Sequence, residues 1–204
     1  MNEDLLLGNA DCRVRVDAAR GGRIASLCVY GEELLVGASD DPLAWGSYPL
    51  APWAGRLRQG RFCFEGREYR MPCNPGPHAM HGTVFTRRWQ RVAADTLRIE
   101  LQPGWPFDGF AVQRFVLHDD GLDVQLELHA RTQAYPGSAG FHPWFRRRLG
   151  RGEPLALDFS AARRIVLDGE GLPTGALAPP DTAAGDDCFT GLRHDPWLRW
   201  PGVL

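Results

Sequence analysis

The chain has 204 residues, 44% of them hydrophobic and 24% charged, a soluble globular composition long enough to build one large core. Its basic residues are all Arg, 23 against 25 acidic residues, and the formal net charge of −2 calls for neither nucleic acid nor a membrane surface. Met1 to Ala10 carries Glu3 and Asp4 where a signal peptide needs positive charge, no stretch approaches a membrane span, and five Cys with no CxxC pair suggest neither a disulfide framework nor a zinc site, so a cytoplasmic setting is expected.

In chain order, Arg13 to Val16 and Ile24 to Val29 read as two strands around a Gly21-Gly22 turn. Trp45 to Arg58 is rich in Pro, Gly, aromatics and Arg and reads as a long, ligand-binding loop. Arg61 to Phe64 and Glu68 to Met71 form a hairpin around Glu65-Gly66-Arg67, with Cys63 as a small core residue among aromatics. Met71 to Trp89 is a second long loop. Thr96 to Leu101 alternates cleanly, as does Leu122 to His129, where the Leu and Val side chains share one face and Asp, Gln, Glu and His the other. Asp119-Asp120-Gly121 turns Phe110 to His118 back onto that strand. No ten-residue stretch carries a helical stripe, so the expected fold is an all-β sandwich or barrel forming a single domain over 1–204.

The candidates for chemistry lie in the two loops and in Ala139 to Phe145. His81 and His142, beside Trp53, Trp144 and Arg56, suit a sugar: aromatic faces stack on C–H groups, Arg bridges hydroxyls, and imidazole titrates near neutral pH. Plain structural roles compete with each of these. His142 can be a hydrogen-bonded histidine behind a Pro-Trp turn, Arg56 can pair with a surface carboxylate, and Asp186 and Asp187 can cap a turn. His78 and His81 have HxxH spacing, but on a Pro- and Gly-rich loop that makes no metal site.

Five blocks in order resemble the aldose 1-epimerase family over nearly the whole chain. Trp53-Ala54-Gly55-Arg56-Leu57 followed by Gly60-Arg61-Phe62 and Phe64-Glu65-Gly66 is similar to the family's Asn/Gly-Arg-Ile block and its G-x-F-x-F-x-G hairpin, with Gly55 where Asn can stand. Met80-His81-Gly82, with Trp89 after it, resembles the Leu-His-Gly motif. Gly140 to Phe145 resembles the His-Pro-Tyr-Phe block, with Trp144 where Tyr is commoner. Leu172-Pro173-Thr174-Gly175 and Asp186-Asp187-Cys188-Phe189 are similar to the P-T-G and D-D-x-F regions.

The resemblance implies a galactose mutarotase-like β-sandwich (supersandwich) of mostly antiparallel strands, binding a hexose without cofactor or metal and acting as an isomerase that interconverts its anomers. It implies His142 as the general acid at the ring oxygen, His81 as a second group near that oxygen, and Arg56 and Asp186 as anchors for ring hydroxyls. The family's general base is a Glu beyond the D-D-x-F block, and no Glu follows Asp187 here. The chain is therefore expected to be C-terminally shortened, with the base unassigned and an exposed sheet edge that invites a homodimer. Two alternatives follow: a non-catalytic carbohydrate-binding homologue, and a hexose-6-phosphate 1-epimerase using Arg87, Arg88 and Arg146 to Arg148.

Overall fold

Local rules set the first ladder. Polar residues alternate with Val14 and Val16, both buried, and glycines 21 and 22 take positive φ, so the chain reverses and pairs with itself. The computed structural model describes residues 4–74, 76–181 and 185–203. The chain divides into two compact units, 1–146 and 147–204.

The first unit contains β1 (Leu5–Gly8), β2 (Cys12–Asp17), β3 (Arg23–Val29), β4 (Glu32–Glu33), β5 (Ser47–Leu50), β6 (Arg56–Leu57) and β7 (Arg61–Phe64). It continues with β8 (Arg67–Arg70), β9 (Ala79–Met80), β10 (Gln90–Ala93), β11 (Thr96–Glu100), β12 (Gly109–Leu117), β13 (Leu122–Ala130) and β14 (Gly140–Pro143). A 3-10 turn at Arg58–Gly60 is the helical element among the described residues. One sheet runs β1-β2-β3-β5-β14 with β4 on β3, and a second runs β10-β11-β12-β13. Two short ladders, β6 with β9 and β7 with β8, complete the unit, and all these strands pair antiparallel.

One apolar core joins the two sheets: Leu5, Val14, Val16 and Ile24 from the first pack in the same cluster as Leu97, Ile99, Ala111 and Phe115 from the second. Removing each large apolar side chain from water contributes about 1.5–3 kcal/mol, so a sandwich of this size rests chiefly on that layer. The expected hairpins form. Leu117 faces Leu122 across the Asp119-Asp120-Gly121 turn, and Phe64 faces Arg67 across Glu65 and Gly66, both at positive φ as a two-residue hairpin turn requires. Cys63 is a correction. Period two turns Phe62 and Phe64 toward Trp105 and Phe107, with ring centroids 5.2 Å apart for Phe62 and Trp105 and 5.7 Å for Phe64 and Phe107, and leaves Cys63 exposed on the opposite face.

Both long loops also contain strands. Trp45 to Arg58 includes β5 and β6, and Met71 to Trp89 includes β9.

The second unit holds β15 (Ala156–Asp158), β16 (Ala161–Leu167), β17 (Pro173–Ala178), β18 (Cys188–Leu192) and β19 (Trp197–Arg199). Its sheet runs β17-β16-β18, with β15 pairing β19. Ala161, Leu172 and Trp200 are buried, and Phe159 meets Phe189 edge-on at 4.9 Å. The Asp168 carboxylate accepts hydrogen bonds from the backbone N–H groups of Glu170 and Leu172, fixing the turn between β16 and β17. No helix among the described residues is long and apolar enough to cross a membrane.

Candidate active site

The register of β5 against β14 sets His142 directly opposite Tyr48. Facing residues of an antiparallel pair point to the same side, and the two rings stack with centroids 4.9 Å apart and planes 6° from parallel. Trp144, 39% exposed, continues the row at 5.7 Å from His142. Its backbone is fixed at both polar groups, N–H to Gly46 carbonyl (2.8 Å) and carbonyl to Val36 N–H (2.8 Å). The Tyr48 hydroxyl donates to the Leu43 carbonyl at 3.4 Å. Burial pushes the Tyr48 phenol up to about 12, against smaller opposite effects from the neighbouring Trp144 side chain and from Arg23. Tyr48 is thus a neutral wall at physiological pH and not a base.

His81 reaches the same place by another route. It follows β9 with φ of 62°, a left-handed conformation that few residues other than glycine take. Two backbone links to Gly55 hold it: the His81 N–H donates to the Gly55 carbonyl (2.9 Å), and the Gly55 N–H donates to His81 Nδ1 (3.3 Å). With Nδ1 accepting, neutral His81 carries its proton on Nε2 and can donate from there. Gly82 must be glycine, because a Cβ there would stand 1.8 Å from the Ala51 carbonyl oxygen. The His81 ring lies edge-on to His142 at 5.3 Å and 6.4 Å from Tyr48.

The other expected residues divide. Arg56 is exposed on β6 and faces Met80, the residue before His81, so its backbone belongs to the ladder that carries this histidine. Trp53 is 6% exposed and packs in the core, 5.6 Å from Trp105. Its indole therefore lacks the open face that Trp144 has. Asp186 is exposed in the second unit, where its neighbour Asp187 pairs with Arg164 at 3.1 Å. His78 is buried with Nδ1 accepting from the Gln59 N–H, so the HxxH spacing puts its two imidazoles in different surroundings. Among the described residues no three His, Cys, Asp or Glu side chains gather as a metal site.

Of the Arg candidates for phosphate, Arg87 donates to the carbonyls of Glu100, Leu101 and Gln102, and burial lowers its pKa. Arg146 Nε donates to the Leu35 carbonyl. Tyr48 is the residue that sequence reasoning missed. Its signal, the short Ser47-Tyr48-Pro49-Leu50 alternation, is hidden inside a Pro- and Gly-rich stretch.

The family model described as Aldose 1-epimerase matches residues 4–187. The chain belongs to the aldose 1-epimerase family. It is 28% identical over 166 residues to the uncharacterized protein YihR of Escherichia coli, a match covering 76% of this chain and 54% of that protein. It is 26% identical over 146 residues to the galactose mutarotase of Rattus norvegicus, covering 65% of this chain and 42% of the mutarotase. The chain thus spans about half the length, or less, of these curated relatives. In fold it is similar to a galactose mutarotase-like protein from Clostridium acetobutylicum (TM-score 0.76, 17% identity, 86% of this chain and 61% of that one). It is similar also to the galactose 1-epimerase of Lactobacillus acidophilus (TM-score 0.66, 20% identity, 85% and 57%). The all-β galactose mutarotase-like fold expected from the motifs is the fold observed.

Proposed function

We propose that this aldose 1-epimerase homologue binds a hexose against Trp144 and interconverts its α and β anomers, with His142 as general acid and His81 as hydrogen-bond donor. The observation that carries the reading is the meeting of the two imidazoles 5.3 Å apart beside the half-exposed Trp144 indole. A sugar presents a C–H face suited to an indole and a ring oxygen that must gain a proton before the C1–O5 bond breaks. In the proposed cycle a base takes the O1 proton while His142 protonates O5 and the ring opens. Rotation about C1–C2 and the reverse transfers then close the other anomer. His81, donating from Nε2, steadies the developing charge near O5, and Arg56 binds hydroxyls on the His81 side. Asp186 stays a candidate hydroxyl anchor through its motif alone.

A second reading, in which the site binds sugar without turning it over, rests on the half-exposed Trp144 indole alone. A phosphorylated hexose is less well supported, because Arg87 and Arg146 direct their guanidinium groups to backbone carbonyls. Polarimetry of freshly dissolved α-galactose and α-glucose separates these readings. The epimerase expectation is acceleration above the buffer rate. Unchanged rates together with calorimetric binding of galactose would leave the sugar-binding reading, and competition by inorganic phosphate would favour the phosphorylated substrate. β14 is a terminal strand of its sheet among the described residues, so pairing of two copies along its outer row is the partner proposal that goes with this site. Sedimentation velocity showing only monomer at high concentration would remove it.

A further inference from the structure

A buried cation lies in line with the proposed acid. Asp17 on β2 faces Arg23 on β3, and Ile24 faces Ser47, which sets Arg23 beside Tyr48, itself opposite His142. Asp17, Arg23, Tyr48 and His142 therefore form one cross-strand row. Arg23 is 1% exposed. Its guanidinium donates to four backbone carbonyls, those of Arg20 (2.8 Å), Pro42 (2.9 Å), Trp45 (3.0 Å) and Phe85 (2.9 Å). It lies over the Trp45 ring at 4.1 Å and the Tyr48 ring at 5.1 Å.

We propose that Arg23 is a positioning residue for His142: anchored by backbone carbonyls, it fixes the Tyr48 ring on which the imidazole stacks and sets a positive charge one side chain away from that imidazole. The charge is not cancelled locally. Asp17 is the nearest anion in the row, but its carboxylate accepts from the Arg20 side chain (2.8 Å) and the Arg20 N–H (2.9 Å) and also pairs with Arg15 at 3.9 Å, so three cations share one anion. The remaining titratable groups around the stack are His81 from the loop after β9, Tyr48 itself, and Asp41 from the turn before β5. Burial lowers Arg23 to about 10, which still leaves it charged at neutral pH. A like charge disfavours the imidazolium and makes His142 a stronger proton donor. The catalytic side of this role rests on the epimerase reading. The effect on the imidazole does not.

The test is an NMR titration of the His142 ring in the full chain for the wild type, Arg23→Gln and Arg23→Lys, with polarimetry run separately. Arg23→Gln should raise the His142 midpoint by about half to one pH unit, the size expected for a cation roughly 10 Å away in a protein environment. Arg23→Lys, keeping the charge, should restore most of the shift. Should Arg23→Gln fail to fold, Arg20→Gln at the half-exposed Arg20 offers the same sign with a smaller rise, because Asp17 is then free to offset Arg23. A midpoint unmoved in the Gln variants, or moved equally by Arg23→Lys, overturns the proposal. An inactive wild type with the predicted midpoint shifts overturns the epimerase reading alone.

Discussion

The two histidines of the site are held in contrasting ways. His142 sits on a paired strand, where register against Tyr48 sets its direction and the stacked ring sets its plane. His81 sits on a loop in a left-handed conformation, fixed by a reciprocal pair of bonds to Gly55 and by a glycine that no larger residue can replace. A sheet repeats its geometry at every residue, so losing one side chain changes little else. A strained loop concentrates its geometry at a few backbone atoms, so small changes there should propagate.

The strongest way to break this contrast is Gly82→Ala. A Cβ 1.8 Å from the Ala51 oxygen, at a φ of 82°, forces the backbone to move. Urea denaturation should show a loss of roughly 3–5 kcal/mol or a chain that does not fold, the upper range for single substitutions. Wild-type stability would show that the loop is not pinned. On the sheet side, pH provides the next largest effect. The Tyr48 phenol is raised to about 12 from a reference near 10, so the folded state favours its neutral form. The stability this contributes is complete below pH 10 and is lost as pH rises toward 12, by about 2–3 kcal/mol over the window. Tyr48→Phe should flatten that alkaline limb in denaturation curves collected from pH 9 to 12, and an unchanged limb would assign the loss to another group. At neutral pH the same variant removes the hydroxyl that donates to the Leu43 carbonyl and should cost about 1 kcal/mol. Smallest is Trp144→Ala. With a half-exposed ring its removal should leave stability within about 1 kcal/mol while weakening galactose binding roughly five-fold in calorimetry. Unaltered affinity would move the sugar off the indole.

The contrast also explains what was legible in the sequence. The hairpins at Glu65-Gly66 and Asp119 to Gly121 depend on neighbours in the chain, where alternation and a turn glycine carry the information. The motif blocks singled out His81 and His142, whose imidazoles the fold brings 5.3 Å apart, because residue type and order survive in a linear string. Tyr48 and Arg23 were hidden, since their importance arises from pairing with strands far along the chain, and a Pro-Gly-rich composition made β5 look like loop. Trp53 shows the converse case. An aromatic beside Arg56 suggests a ligand platform, and only packing against Trp105 reveals a core residue. Cys63 missed for the same reason, with period two visible but the inward face assigned to the wrong set.

The central claim, that His142 protonates a sugar ring oxygen, is tested most directly by exchange NMR between the α and β anomers of galactose with wild-type chain and His142→Ala. The account predicts enzyme-driven exchange in the wild type and a fall of about 10²–10⁴-fold in the variant, the usual contribution of one general acid, with weak galactose binding retained. Exchange at the wild-type rate in His142→Ala would contradict it.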